Sequence, residues 1–559
     1  MSVLSRRGWA WVLLAGALWL TGCQEWICLL DQNEDGVCEP HGDLIDEGTF
    51  AVSPPVRYNA GVAYRAEAAD RITLLRTDGA RAEVVHVPVA EQPTLLTTTP
   101  DRSLLLVLSQ EAQSLSVIDP ETLEQTIYPL GSPFDRLELS EDGRYAIALY
   151  SPNFNSSAII RNTNEMAVID LAEPPREEDL EVPLAANPQI VTLRSFGSRP
   201  LDVVFAPSFL IRGEERRVAL ILSENYVTLL ELNGFDPREP GRNETAIRFV
   251  QNDSDLRLVP LQVTWTEDDP NRDDDMFAFV LVQGSDDIIS LNLLPGDEQD
   301  LLGRPRIRPS LNQLTGGRQP RSMALFTNSQ GQIKLLTANR SSVDLSVIDV
   351  ATSDVVQVPL DAAVDQVFVY NAVNPDTDVE EPFALLYSTA GLRTVYFVEL
   401  STVEGRGTRA VDSLNLDSGV ERLELTPDRR RALILHPGQR SFSVLNLERR
   451  SFSPVDALAP VSDYQFAGLG DERLVTVFAG EPYIGLTELD NTHPTPVELD
   501  LAAVATAVVP ETNTILVDHG RSMGAATLLR LDEPSRETSA TLWGFGVDDL
   551  LQVRNAEAR

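Results

Sequence analysis

A thiol close to the N-terminus is the first group in this chain whose surroundings point to chemistry. Cys23 follows an apolar run over residues 8–20, which is preceded by Arg6 and Arg7, and a small residue, Gly22, stands directly before it. A basic start, a short apolar run and a small-residue site make up a secretory signal. The run is too short to cross a bilayer as a permanent helix. Cleavage before Cys23 would leave a new N-terminus whose thiol and amine can both be acylated.

The stretch Leu20-Thr21-Gly22-Cys23 resembles the cleavage site of bacterial lipoprotein precursors. The resemblance implies a lipoprotein signal peptide over residues 1–22 and attachment of acyl chains, palmitate among them, at Cys23. Gln24, rather than Asp, follows the cysteine and implies sorting to the outer membrane of a Gram-negative cell, facing either the periplasm or the cell surface. An ordinary secretory signal with an incidental cysteine is the alternative.

Two further thiols lie near each other in the same region. The chain has three cysteines, and after Cys23 only Cys28 and Cys38 remain. In an exported protein two such neighbours usually form a disulfide, and we expect one here. Residues 23–56 are therefore predicted to form a lipidated tether with a disulfide loop and a linker, and residues 57–559 the main domain.

Oxygen-bearing side chains alternate inside that loop. Asp31, Asn33 and Asp35 stand at every second position before a glycine, which resembles the opening of the calcium loops of EF-hands, dockerins and thrombospondin type 3 repeats. The resemblance implies calcium as a cofactor, held by these three side chains and the Val37 carbonyl. The twelfth position is Gly42 rather than an acid, so we expect weak binding. An acidic tether without metal is the alternative.

One segment has the form of a hydrolase nucleophile elbow. Gly520-Arg521-Ser522-Met523-Gly524 fits G-x-S-x-G, but such enzymes need a histidine further along the chain, and none follows His519. The segment also aligns with residues 432–447, which makes Ser522 a hairpin-turn residue. The five histidines show no metal-ligand spacing. We therefore assign no catalytic residue.

The composition is strongly acidic. Lys and Arg together number 45 against 84 Asp and Glu, a formal net charge of −39. Loss of residues 1–22 would remove two arginines and leave 43 basic residues against the same 84 acids. Nucleic acids select basic surfaces, so the composition argues against them as partners. We expect a monomer that contacts the membrane through its acyl chains, because no later stretch approaches 18 continuous apolar residues.

After the linker, short apolar runs alternate with turn residues up to the C-terminus. No stretch of helical period exceeds a turn or two, which indicates an all-β domain. The shortest repeat spacing, from Pro93 to Phe134, is that of one four-stranded propeller blade. We count about ten blade-like units. A smaller ring of seven or more blades with polar insertions, or two propellers in tandem, is the alternative. An apolar-acid-any-apolar element begins at Phe134, Leu201, Val364, Val420 and Val547, and looser copies begin near Pro93, Val259, Pro320, Val461 and Val504.

The order within a unit is constant. A turn such as Thr99-Pro100-Asp101-Arg102 leads into an apolar strand, and a hairpin then leads to a third strand such as Leu345-Ser346-Val347-Ile348-Asp349. The phrase Ser-Val-Ile-Asp after this series resembles the YVTN-type repeats of surface-layer-associated and lactonase-like β-propellers. The resemblance covers roughly residues 57–553 and implies a β-propeller of four-stranded blades.

The two ends of the array suggest how the ring closes. Before Pro93 there is material for three strands, at residues 62–65, 72–76 and 83–89, and one strand, at residues 547–553, is left over at the end. Three strands and one make a blade. We therefore predict that the C-terminal strand pairs with the N-terminal three and hides both edges.

Two classes of function remain after these observations. The first is a membrane-anchored envelope lipoprotein whose propeller loops bind a protein, a glycan or another envelope component. The second is a propeller enzyme, lactonase-like or another hydrolase, with a site in the central channel. The long polar insertions and the lack of an ordered catalytic set favour the first, and the second stays open because a fold does not determine a function.

Overall fold

The computed structural model describes most of the chain beyond residue 52. The chain divides into two compact units, Met1–Phe50 and Ala51–Arg559, and every described residue belongs to the second. The described ranges are 53–66, 69–154, 162–178, 185–193, 199–233, 243–249, 258–266, 276–299, 303–374, 379–467, 473–521, 523–546 and 551–554.

Ten antiparallel sheets form ten blades arranged in a ring, which confirms the predicted all-β propeller and the count of ten units. The four strands of each blade, called A to D, follow one another in chain order. Blades 1 to 3 comprise β1 (Val56–Tyr58), β2 (Gly61–Arg65), β3 (Arg71–Asp78) and β4 (Arg81–Pro88); β5 (Pro93–Thr98), β6 (Leu105–Ser109), β7 (Ser114–Ile118) and β8 (Gln125–Pro129); and β9 (Arg136–Leu139), β10 (Tyr145–Leu149), β11 (Glu165–Asp170) and β12 (Gln189–Thr192).

Blades 4 to 6 include one extra hairpin, β14 with β15, between strands A and B of blade 4. They comprise β13 (Pro200–Phe205), β14 (Phe209–Ile211), β15 (Glu214–Arg216), β16 (Val218–Ser223), β17 (Tyr226–Glu231) and β18 (Glu244–Arg248); β19 (Val259–Trp265), β20 (Met276–Gln283), β21 (Asp287–Gln299) and β22 (Pro305–Thr315); and β23 (Pro320–Thr327), β24 (Ile333–Asn339), β25 (Asp344–Asp349) and β26 (Val355–Pro359).

Blades 7 to 10 complete the ring, and blade 7 carries a short helix, α1 (Val403–Arg406), between strands C and D. They comprise β27 (Gln366–Asn374), β28 (Val379–Tyr387), β29 (Thr394–Glu399) and β30 (Val411–Asn415); β31 (Arg422–Leu425), β32 (Arg431–Leu435), β33 (Ser441–Asn446) and β34 (Ser451–Asp456); β35 (Val461–Ala467), β36 (Arg473–Phe478), β37 (Tyr483–Glu488) and β38 (Pro494–Glu498); and β39 (Ala505–Val509), β40 (Thr514–Asp518), β41 (Ala525–Arg530), β42 (Ala540–Trp543) and β43 (Leu551–Arg554).

The hydrophobic core lies between neighbouring blades. All five residues of β6 are buried, whereas the outer strand β8 alternates between exposed and buried positions. Leu106 and Leu108 of blade 2, for example, join one apolar cluster with Phe134 and Ala146 of blade 3. Because both faces of strands B and C are covered in this way, they read as continuous apolar runs, and each large side chain buried there contributes about 1.5–3 kcal/mol.

The turn between strands A and B is built by side chains that recur in several blades. In blade 8, Asp428 accepts hydrogen bonds from Thr426 Oγ1 at 2.6 Å and from the Arg430 amide at 3.0 Å. The residue between them, Arg429, has φ of 55°. The equivalent position is Gly143 in blade 3, which adopts this left-handed conformation without steric cost.

Closure of the ring differs from the prediction. Blade 1 has four strands of its own, because Val56–Tyr58 pairs with Gly61–Arg65 as strand A. The predicted pairing of the C-terminal strand with the N-terminal three is therefore wrong. The last strand, Leu551–Arg554, instead pairs with Ala540–Trp543 as a fifth strand of blade 10. Blades 1 and 10 meet through side-chain packing, in a cluster that contains Val62, Tyr64, Leu75, Ala507, Leu516 and Leu528.

Candidate functional site

The site residues predicted near the N-terminus all precede the first described position. Lipid attachment, the disulfide and the calcium loop therefore stay predictions. The residues concerned are Cys23, Cys28 and Cys38, with Asp31, Asn33, Asp35 and Val37.

The G-x-S-x-G segment joins β40 to β41, so the predicted hairpin turn is confirmed. Ser522 itself lies outside the described residues. The neighbouring His519 is buried, and its ring nitrogens lie 2.9 Å from the Ala502 carbonyl oxygen and 2.8 Å from Thr527 Oγ1. Burial lowers the pKa of His519 to about 4. A histidine held in this way positions a blade edge and is not free to serve a nucleophile.

Two of the recurring acids of the repeat, Asp135 and Asp365, act as caps within their blades. Asp135 accepts hydrogen bonds from the Ser151 amide at 2.6 Å and from its hydroxyl at 2.7 Å. Asp365 does the same with the Thr389 amide at 3.0 Å and Ser388 Oγ at 3.1 Å. Both carboxylates thus fasten the start of strand A to the residues that follow strand B. These two acids therefore have a structural role in the blade.

Strands A of neighbouring blades lie side by side around the axis and form the wall of the channel. In blade 3, Arg136 contacts Glu138 of its own strand at 2.6 Å and Asp202 of blade 4 at 2.5 Å. The same Arg-x-Glu pattern recurs in blade 8, where Glu424 contacts Arg422 at 2.8 Å and the Tyr464 hydroxyl of blade 9 at 2.5 Å.

Backbone groups of the wall are also bridged between blades. Gln262 of blade 5 donates to the Met323 carbonyl oxygen at 2.9 Å and accepts from the Met323 amide at 3.0 Å. Asp463 of blade 9 accepts from the Thr506 amide of blade 10 at 3.0 Å. Side chains thus pair with the free edges of the inner strands. These channel groups are engaged with one another and hold the ring together.

A cleft between blades 4 and 5 offers a different chemistry. Its volume is about 530 Å³, and it opens at the outer rim beside the turn between strands B and C of blade 5. Arg248 and Asp287 supply one charge of each sign, and Leu311, which is 54% exposed, forms an apolar wall. The Arg248 guanidinium lies 5.9 Å from the centre of the Tyr226 ring. The remaining lining is Phe249, Leu258, Val282, Ser285, Ile289, Asn312 and Gln313.

This combination suits a ligand that has an apolar body and at least one charged or polar group. Sequence patterns do not predict these residues as a site. Arg248, Asp287 and Leu311 belong to no motif, and they meet only because two blades pack together. In the structure, a large exposed apolar residue, Leu311, lies near an exposed arginine, Arg248, and this proximity indicates a binding site.

Among the described residues, no group of three or more His, Cys, Asp or Glu side chains is placed to hold a metal ion. Within those ranges, no helix is long and apolar enough to cross a membrane.

Comparison with known proteins yields similarity of structure alone. No protein-family model and no curated protein matches the chain. A dihydro-heme d1 dehydrogenase, NirN, in complex with DHE has 9% identity and a TM-score of 0.39, with 74% of this chain and 76% of that chain covered. A hydrazine synthase of Kuenenia stuttgartiensis has 13% identity, a TM-score of 0.26 and coverage of 72% and 95%. A eukaryotic initiation factor has 11% identity, a TM-score of 0.40 and coverage of 74% and 90%. Similarity at this level carries no argument about activity, ligand or partner.

Proposed function

We propose that this chain is a lipid-anchored protein of the bacterial cell envelope whose propeller binds a protein or another envelope component. The observation that carries the binding role is the cleft between blades 4 and 5. There an exposed apolar wall, Leu311, stands beside the charged groups of Arg248 and Asp287. The channel gives weaker support for binding over catalysis. Its wall residues Arg136 and Glu424 are already bonded to neighbouring blades.

Cross-linking inside the cell tests the cleft. A photoreactive amino acid at Leu311 should give a discrete adduct in the native envelope. The same amino acid at Ile127 is the matched control, since Ile127 is also apolar and 49% exposed but lies on the outer strand of blade 2, away from the cleft. Equal labelling from both positions, or none from position 311, would show that the cleft is not the binding site.

Anchoring is proposed from Cys23 and its resemblance to lipoprotein precursors, with the outer membrane as the expected location. The parent should partition into detergent, because each buried methylene of an acyl chain contributes about 0.8 kcal/mol. Cys23→Ser should leave the protein uncleaved or freely soluble. Cys28→Ser is the control, since it removes a thiol without removing the lipid. Equal partitioning of Cys23→Ser and the parent would exclude the anchor.

The N-terminal loop is proposed as an accessory calcium site closed by a Cys28–Cys38 disulfide. Asp31, Asn33, Asp35 and the Val37 carbonyl would bind calcium with Kd of about 10⁻⁴–10⁻³ M, the range of weak extracellular modules. Calorimetric titration of the parent against Asp31→Asn measures this directly. Identical heats for the two proteins would mean that the loop is only an acidic tether.

A further inference from the structure

Two adjacent turns of blade 8 concentrate positive charge in this acidic protein. The turn between strands A and B carries Arg429, Arg430 and Arg431, and the turn between strands C and D carries Arg449 and Arg450. The Leu447 amide donates to the Arg430 carbonyl oxygen at 3.0 Å, so the two turns touch. Both lie on the face opposite to the one where strand A of each blade begins.

Two of the five arginines form ion pairs with neighbouring blades. Arg431 forms an ion pair with Asp490 of blade 9, and Arg450 forms one with Asp412 of blade 7. The Arg450 guanidinium also lies 4.5 Å from the centre of the Phe383 ring. These pairs use the acids that the neighbouring blades supply, one carboxylate to each guanidinium.

The other three arginines, Arg429, Arg430 and Arg449, are exposed and form what we call the blade-8 patch. Within the described residues none of them has an acidic partner. Two carboxylates are neighbours of these arginines in sequence: Asp428 is occupied as the turn cap, and Glu448, exposed beside Arg449, forms no ion pair with it. Three like charges on two touching turns repel one another, and two carboxylates, Asp428 and Glu448, do not match all three.

The same turns carry the opposite charge in another blade. In blade 8 the cap of the second turn is Asn446, which accepts from the Arg449 amide at 2.8 Å, whereas blade 2 uses Asp119 for this bond. The backbone frame is thus retained while its charge is reversed. The equivalent turns of blade 2 hold Arg102 together with Asp101, Asp119, Glu121 and Glu124.

We propose that the blade-8 patch binds a ligand that carries phosphate groups. Guanidinium groups hold phosphate oxygens through paired N–H donors, and a phosphate monoester brings up to two negative charges and three acceptor oxygens to one point. A single carboxylate satisfies one arginine, as it does at Arg431 and Arg450, and leaves the remaining charges unmatched. The inference stands apart from both the lipid anchor and the cleft between blades 4 and 5.

The test compares two variants that lose the same charge. R429G/R430S/R449T replaces each arginine by the residue that an equivalent turn carries, namely Gly143, Ser103 and Thr122, so the fold is expected to tolerate it. R318S/R340S/R393S is the control, because these exposed arginines lie on the opposite face and also have no acidic partner among the described residues. Single R430S serves as a second, milder variant if the triple one unfolds.

Calorimetry of the full chain in neutral detergent at low salt measures binding of tripolyphosphate and of dihexanoyl-phosphatidic acid, a phosphate monoester, with dihexanoyl-phosphatidylcholine as the zwitterionic comparison. We expect the blade-8 variant to lose at least about tenfold in affinity, R430S to lose less, and the control to stay unchanged. Binding of both probes would assign phosphate groups in general, binding of phosphatidic acid alone would assign a lipid headgroup, and binding of tripolyphosphate alone would assign a free polyphosphate.

Three results would overturn the proposal. The first is absence of binding by the parent protein. The second is an equal loss in the two triple variants, which would make the effect one of net charge. The third is binding of a polyglutamate peptide as tight as that of tripolyphosphate, which would assign the patch to an acidic partner protein.

Discussion

The Tyr64 hydroxyl donates a hydrogen bond to Asp518 Oδ1 at 3.4 Å, and this contact joins the first blade to the last. Both groups are buried, and burial raises the pKa of Asp518 to about 6. A folded pKa above the ordinary aspartate value of 3.8 means that the fold favours the protonated acid. The contribution of Asp518 to stability is therefore complete below pH 3.8 and is lost as the pH rises through 6.

Asp518→Asn should stabilise the protein at pH 7.5, because it removes a buried charge and retains a hydrogen-bonding side chain. The raised pKa of Asp518 corresponds to a gain in unfolding free energy of about 3 kcal/mol at pH 7.5, with no gain near pH 4. Denaturant unfolding of the variant and the parent at the two pH values measures the difference. Glu141→Gln, which removes an exposed charge, is the control. A gain at pH 4 as large as that at pH 7.5 would refute titration of Asp518 as the cause.

His519 should produce the opposite dependence. Its pKa is lowered to about 4 by burial, so the unfolded chain takes up a proton first as the pH falls below 6.5. Stability from this group is complete above pH 6.5 and is lost on the way down to pH 4, by about 3 kcal/mol in total.

His519→Asn should remove that loss while the fold is kept. Asn339 occupies the equivalent position in blade 6, and its amide reaches Ser346 Oγ at 2.8 Å as the His519 ring reaches Thr527 Oγ1 at 2.8 Å. Unfolding of the variant between pH 7 and pH 4 is the measurement. If the stability of the variant falls between pH 7 and pH 4 as steeply as that of the parent, groups other than His519 cause the acid destabilisation.

The architecture could be predicted because its determinants are local. Turn caps such as Asp101 and Asp428 recur at fixed offsets from the apolar strands. The turn, strand and hairpin segments follow one another in the same order in each unit. Nine of the ten predicted unit starts lie at or within two residues of a strand A. The exception is Val547. The sequence did not predict the inner strand Val56–Tyr58, which is only three residues long.

The candidate cleft could not be predicted in the same way. Arg248 ends a strand of blade 4, and Asp287 and Leu311 lie in blade 5 on strands C and D. None of them has a sequence signature, and their proximity depends on how two faces pack. The recurrent acids were visible in the sequence, but the role of Asp135 and Asp365 as caps required the positions of Ser151 and Thr389, which follow strand B.

Lys334 is the sole lysine of the chain, and it fastens blade 6 to blade 7. Its ammonium group lies 2.9 Å from Asp349 Oδ2 and 2.6 Å from Glu404 Oε1 on α1. Burial alone would lower the pKa of Lys334, but hydrogen bonds and attraction from the two carboxylates outweigh it, so the pKa is raised. Lys334→Met would leave buried Asp349 unpaired and should cost about 3 kcal/mol.

Thermal unfolding of Lys334→Met against Glu404→Gln checks the role of this group. Glu404 is 47% exposed, so its loss should cost about 1 kcal/mol or less. An amine-reactive ester should label Lys334 in the unfolded protein and hardly at all in the folded one. Equal costs for the two substitutions would show that Asp349 does not depend on the lysine.

The fifth strand of blade 10 should protect the outermost strand of the ring. Strand D of blade 9, β38, has three exposed residues and one buried residue, whereas in β42 Ala540, Thr541 and Leu542 are all buried. Removal of residues 547–559 would leave the backbone N–H and C=O groups along this edge of β42 without their partners in β43. An uncovered apolar edge pairs with other chains. The truncated protein should therefore melt at a lower temperature and self-associate in sedimentation experiments, whereas truncation after Arg554 keeps β43 and should change neither property. If both truncations behave like the parent, the fifth strand contributes nothing to the stability of blade 10.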